Sequence, residues 1–142
     1  MSKKKISHPD KDPGFVTGAF SDGVLVDGFL FVSGQASVDF KTSQFILGTI
    51  EEETHRTLGN IKAIVEAAGG SLNDVVKCTT HLSDINEFDR YNEVYAQYFP
   101  EIKPARTTVQ SVLGKGIKVE IDCIVKLPSP VNTNEQFGPI QY

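Results

Sequence analysis

The sequence predicts an α+β domain in which a mixed sheet carries two helices on one face only, and three observations carry that prediction. Val24 to Val26 and Phe29 to Ser33 flank Asp27-Gly28, a pair that supplies the positive φ angles of a type I′ hairpin turn. Two separate segments repeat apolar residues at helical spacing along a single stripe, so each helix has one face to bury. Between Ile117 and Leu127, Ile117, Val119, Ile121, Cys123, Val125 and Leu127 alternate with Lys118, Glu120, Asp122, Ile124 and Lys126, which is the period of a strand covered on one side. The order is ββ(β)αβαββ, a six-stranded layer under a helical layer.

Taken along the chain, the Asp-Gly hairpin comes first, and Ser43 to Leu47 adds a short third strand after the turn-like Asp39 to Thr42. Thr49 and Glu52 form a capping-box pattern, after which Thr54, Leu58, Ile61, Val65 and Ala68 recur at helical spacing until Gly69-Gly70 stops the run. The predicted helix spans Ile50 to Ala68, with Glu52, Arg56, Asn60 and Glu66 away from its apolar stripe. A Val- and Thr-rich strand is predicted from Asp74 to Leu82. A second helix follows from Asn86 to Phe99, with Phe88, Tyr91, Tyr95, Tyr98 and Phe99 as a bulky core-facing stripe and Pro100 as its stop. Ala105 to Val112 reads as a strand and Gly114-Lys115-Gly116 as the turn into the last one. Phe29 and Phe31 share one parity while Leu30 and Val32 share the other, so this strand is apolar on both faces. A second subunit against the bare face of the sheet, in a trimer or other closed oligomer, is the expectation.

The chain has 142 residues, 39% hydrophobic and 23% charged, which suits one ordinary globular core rather than a disordered segment. Residues 1–13, with Lys3, Lys4 and Lys5, are expected to be a flexible basic tail, 14–127 the folded domain, and 128–142 a loose C-terminal extension. No apolar run approaches a membrane span and no signal-peptide pattern follows the N-terminus, so a cytoplasmic location is expected. The net charge of −4 and the lack of a basic stripe disfavour nucleic acid as a partner. Cys78 and Cys123 lie inside alternating apolar runs and read as small core residues.

The sequence holds no P-loop, glycine-rich dinucleotide fingerprint or nucleophile elbow, and His8, His55 and His81 lack ligand-spaced partners for a metal. What remains is Pro104-Ala105-Arg106-Thr107-Thr108, followed fourteen residues after the arginine by Glu120. A cation entering a Thr- and Val-rich strand normally needs an anion. Two readings stay open. One is a structural ion pair between Arg106 and a carboxylate such as Glu120 or Asp122, which is the commoner arrangement. The other is a guanidinium held ready to take a ligand carboxylate bidentately, with Glu120 placed to orient or deprotonate water.

These residues belong to a larger pattern that resembles the RidA/YjgF family of imine deaminases. It covers about residues 14–127, in the blocks Gly18 to Ser21, Phe31 to Gln35, Asn60 to Gly69, Tyr91 to Tyr95, Pro104 to Val109 and Val119 to Ile121. The resemblance implies a chorismate-mutase-like fold, a homotrimer with its sheets as an inner barrel, and ligand pockets between subunits. It implies hydrolysis of 2-imino acids such as 2-iminobutanoate and 2-iminopropanoate to 2-oxo acids and ammonia, with no cofactor and no metal. Arg106 matches the family's carboxylate-gripping arginine and Glu120 the glutamate linked to water. Ser33 and Gly34 match pocket positions, and Thr108 stands where many relatives have Cys. Asn92 matches a helix asparagine near the pocket, for which a structural bond from helix to strand is the competing role. Phe20 stands where the deaminases often have Tyr, and the interval from Arg106 to Glu120 is one residue shorter than the common form. Alternatives within the family are a non-catalytic carboxylate-binding or regulatory module, a ribonuclease or translation inhibitor, and a deaminase of another enamine such as 2-aminomuconate.

Overall fold

The computed structural model describes residues 2–12 and 18–129. Its main sheet has six strands: β1 (Lys4–Ile6), β2 (Gly23–Val26), β3 (Phe29–Gln35), then β6 (Val75–Leu82), β7 (Ala105–Gln110) and β8 (Val119–Lys126). Two short strands, β4 (Val38–Asp39) and β5 (Gln44–Phe45), form a separate hairpin. The helices are α1 (Ile50–Ala67) and α2 (Phe88–Gln97), the latter entered through a single 3₁₀ turn at Ile85–Glu87. In space the strand order is β1-β2-β3-β8-β6-β7, antiparallel except for β6 and β7, which run parallel and put β7 at an edge. The mixed six-stranded sheet with two helices is as predicted.

The Asp27-Gly28 turn has the expected positive φ values of 54° and 80°, and it sets the register that pairs Val26 with Phe29. Thr49 accepts from the Glu52 N–H while the Glu52 carboxylate accepts from the Thr49 N–H, so the capping box starts α1 as the sequence suggested. Leu58, Ile61, Ile64 and Val65 of α1 pack on Leu30 and Val32 of β3 and on Val119, Ile121, Cys123 and Val125 of β8. Phe29 and Phe31 are exposed on the opposite face, in keeping with the predicted alternation. Cys78 and Cys123 are buried and free, directly opposite each other in the ladder, and burial pushes both thiols up. No helix among the described residues is long and apolar enough to cross a membrane.

Three expectations need correction. Lys4–Ile6 is not loose tail but a strand on β2, and the segment after it is also anchored. The buried His8 stacks on Phe40 with centroids 4.0 Å apart, and Lys11 pairs with Asp22 at 2.6 Å. The sixth strand of the sheet is therefore this N-terminal segment. Ser43 to Leu47 contributes only the Gln44–Phe45 hairpin outside the sheet. Asn60 does not lie on the solvent side of α1. It is buried, its amide donates to the Ala36 and Val38 carbonyls, and its Oδ1 meets His8 Nε2. A polar residue can occupy the buried stripe once each of its groups has a partner, a circumstance that periodicity does not reveal.

Candidate functional site

Arg106 enters β7 beside Cys78, and Cys78 faces Cys123, so its side chain rises from the sheet on the face that the helices cover. There it meets one stripe of α2, because Phe88, Tyr91, Asn92 and Tyr95 recur at helical spacing and share a face. The guanidinium carbon lies 5.4 Å, 5.6 Å and 4.7 Å from the ring centroids of Phe88, Tyr91 and Tyr95. Its Nη1 donates to Asn92 Oδ1 at 2.8 Å. Among the described residues no carboxylate pairs with it. The first of the two readings of Arg106, a structural ion pair with Glu120 or Asp122, is thus not met. Aromatic faces attract the cation through their quadrupoles without neutralising it, and an arginine cannot shed its proton. The Tyr91 hydroxyl also interacts with the guanidinium, and the N–H donors of the fork beyond these contacts are left for another acceptor.

Thr108 follows two residues later on the same face, beside Thr80, whose hydroxyl bonds to that of Tyr91 at 2.6 Å. The Thr108 hydroxyl is buried and has no hydrogen-bond partner among the described residues. Arg106, Asn92 and Thr108 therefore form one cluster at the edge strand. Asn92 does bond from helix to strand, and its partner there is Arg106 itself.

Glu120 lies elsewhere. It faces His81 across the ladder and alternates with the buried Val119 and Ile121, which puts it on the face away from the helices. Within one protomer Arg106 and Glu120 stand on opposite sides of the sheet. The surroundings of Glu120 come from an irregularity in β3, where Val32 pairs with Cys123 but Gln35 with Ile121, so one extra residue is accommodated. The bulge brings Gly34 under the Glu120 side chain. A Cβ at position 34 would stand 2.6 Å from Glu120 Oε2, so only glycine leaves the carboxylate where it is. No hydrogen bond or ion pair reaches that carboxylate among the described residues, whereas Asp22 nearby accepts from the His8 N–H and from Lys11 Nζ.

Glu120, Gly34 and Phe20 line one cavity of about 430 Å³, together with Phe40 and Phe45. Ser33 is adjacent in β3, but its hydroxyl donates to the Ser21 carbonyl at 2.6 Å, a bond that holds the segment carrying Phe20 against the bulge. The predicted residues thus form two half-sites, Arg106 with Asn92 and Thr108, and Glu120 with Phe20, Ser33 and Gly34. Spacing alone assigns the α2 rings that cradle Arg106 to the core. Tyr91 and Tyr95 are indeed buried, and the same stripe also serves the arginine. Phe40 and Phe45 had no sequence signal, since a hairpin outside the main sheet brings them to the cavity.

A protein-family model described as endoribonuclease L-PSP matches residues 13–127. A RutC family protein of Pyrococcus horikoshii is 49% identical over 108 residues, 75% of this chain and 86% of that protein. The human protein named 2-iminobutanoate/2-iminopropanoate deaminase is 37% identical over 131 residues, 92% of this chain and 94% of that one. The crystal structure of E. coli TdcF with bound serine superposes with a TM-score of 0.78 at 36% identity, covering 89% of this chain and 100% of that chain. The chain belongs to the RidA/YjgF family.

Proposed function

We propose that this protein is a hydrolytic deaminase of 2-imino acids, working as a homotrimer in which Arg106, Asn92 and Thr108 of one protomer complete a site with Glu120, Phe20, Ser33 and Gly34 of the next. The observation that carries the reading is the Arg106 guanidinium, held by three aromatic rings and one amide oxygen with no anion beside it among the described residues. A substrate carboxylate supplies the missing charge through paired hydrogen bonds. The opposite-face placement of Glu120 supports a site shared between protomers, and the exposed Phe29 and Phe31 on the bare face support their association. The deaminase names of human and bovine relatives agree.

In the reaction, Arg106 fixes the carboxylate and so orients the imine carbon, while the unpaired Glu120 carboxylate takes a proton from water as its oxygen adds to that carbon. The C=N π electrons move to nitrogen, which is protonated to give a carbinolamine. Collapse of the carbinolamine forms C=O and expels ammonia, so imino acid and water become 2-oxo acid and ammonia. In this reading backbone groups at Gly34 and Thr108 meet the nitrogen. The chemistry needs no cofactor or metal, and a cytoplasmic setting agrees with the two free cysteines. The net charge of −4 supports this reading over RNA cleavage.

The test supplies imines from an amino-acid oxidase and follows their hydrolysis with and without the protein. Acceleration is expected for at least one 2-imino acid. No acceleration for any of them overturns the hydrolase reading and favours a module that binds small carboxylates without turnover.

A further inference from the structure

Within one protomer the cavity beside Glu120 is lined largely by apolar side chains. Its volume in one protomer is about 430 Å³, of which the neighbouring protomer of the proposed site takes a part. The imine of alanine carries a single methyl group and presents little apolar surface to a lining that includes Phe20, Phe40 and Phe45. We infer that this cavity selects 2-imino acids with a bulky apolar side chain, aromatic or branched, over the imines of alanine and 2-aminobutanoate. The inference rests on the hydrolase reading and adds to it the class of substrate.

Three phenylalanines carry the argument. Phe20 and Phe45, 54% and 42% exposed in the single protomer, face the same cavity as the Glu120 carboxylate. Phe45 pairs with Val38 across the β4–β5 hairpin, and both side chains line the cavity, so one small hairpin provides two apolar contacts. Ser37 fixes that hairpin by donating to the Ile46 carbonyl at 2.6 Å.

Phe40 is held from behind. It stacks within 9° of parallel on His8, and Lys11 Nζ lies 5.3 Å from its ring centroid. His8 is itself fixed, with Nδ1 accepting from the Asp10 N–H and Nε2 facing Asn60 Oδ1. The apolar wall is therefore formed before substrate arrives, which lowers the entropic cost of binding a large side chain. The cavity's charged groups leave little for a polar substituent. Both Asp22 oxygens are engaged and Glu120 is kept for water, which leaves Lys115 as the one cation of the lining among the described residues. An acidic side chain directed at Lys115 is thus the competing occupant.

The experiment compares kcat/KM for imines formed in situ from phenylalanine, leucine, alanine and glutamate. One methylene in an apolar pocket is worth about 10-fold in discrimination, so the phenylalanine or leucine imine should exceed the alanine imine by at least about 10-fold. Phe45→Ala should lower that ratio by a similar factor, and its exposed position makes a folded variant the expectation. A ratio near one, a preference for the alanine or glutamate imine, or a ratio unmoved in Phe45→Ala overturns the assignment while leaving the hydrolase reading in place. Calorimetric titration with phenylpyruvate and pyruvate separates the two claims without turnover. Tighter phenylpyruvate binding by about 10-fold or more supports the apolar site even in a protein that hydrolyses nothing, and equal affinities overturn it.

Discussion

A mixing experiment tests the division of the site most directly. Because Arg106 and Glu120 emerge on opposite faces of one sheet, no working pair forms within a protomer, and the proposed site takes each from a different chain. Arg106→Ala trimers then contain no intact site, and neither do Glu120→Gln trimers. When the two variants are mixed in equal amounts and reassembled at random, an interface is whole only if its arginine comes from a Glu120→Gln chain and its glutamate from an Arg106→Ala chain. Each condition is met half the time in a closed ring, so about a quarter of the sites recover. The assay is imine hydrolysis before and after co-refolding or co-expression, with exchange verified by mass spectrometry of differently tagged chains. Recovery to roughly a quarter of wild-type activity is expected. Verified mixed trimers with no gain over the separate variants would refute the shared site.

Other outcomes follow from the same geometry. Arg106→Ala should lower kcat/KM by roughly 10²–10⁴, since two charge-assisted hydrogen bonds at about 1.5–3 kcal/mol each are lost. The variant should stay folded with a modestly lower melting temperature, because it loses the bond to Asn92 and the contacts with three rings but no ion pair among the described residues; steady-state kinetics and a melting curve check both. Gly34→Ala should slow turnover by up to about 10²-fold by displacing the Glu120 carboxylate, with little change in melting temperature, because the clash is with the end of a flexible side chain. For His8, burial holds the pKa below the ordinary value of 6.5, outweighing Asp10 and Asp22, which act the other way; Lys11 adds to the lowering. The unfolded chain therefore takes up a proton at a higher pH than the native one. His8's contribution to stability is complete above pH 6.5 and is lost as pH falls through the native value. Urea unfolding at several pH values should show this fall, and His8→Gln should flatten it; an identical pH slope in the variant would remove His8 from the explanation.

The sequence by itself determined the elements whose causes are local. The Asp27-Gly28 turn, the Thr49 capping box and the alternation from Val119 to Val125 each depend on residues within a few positions of one another, and each appears in the fold as its chemistry requires. The ordered blocks around Arg106 and Glu120 likewise named the residues on which the proposed site depends. Tertiary structure decided the matters that depend on distant partners. Lys4–Ile6 became a strand because β2 offered it an edge, and Asn60 became a core residue because His8, Ala36 and Val38 supply its hydrogen bonds. Whether Arg106 meets a carboxylate depends on strand order. The β6–β7–β8 register turns Arg106 towards α2 and Glu120 away from it, so the nearest charges in the motif are not neighbours in space. Strand parity tells which residues share a face of their own strand, and only the assembled sheet tells which faces of different strands coincide.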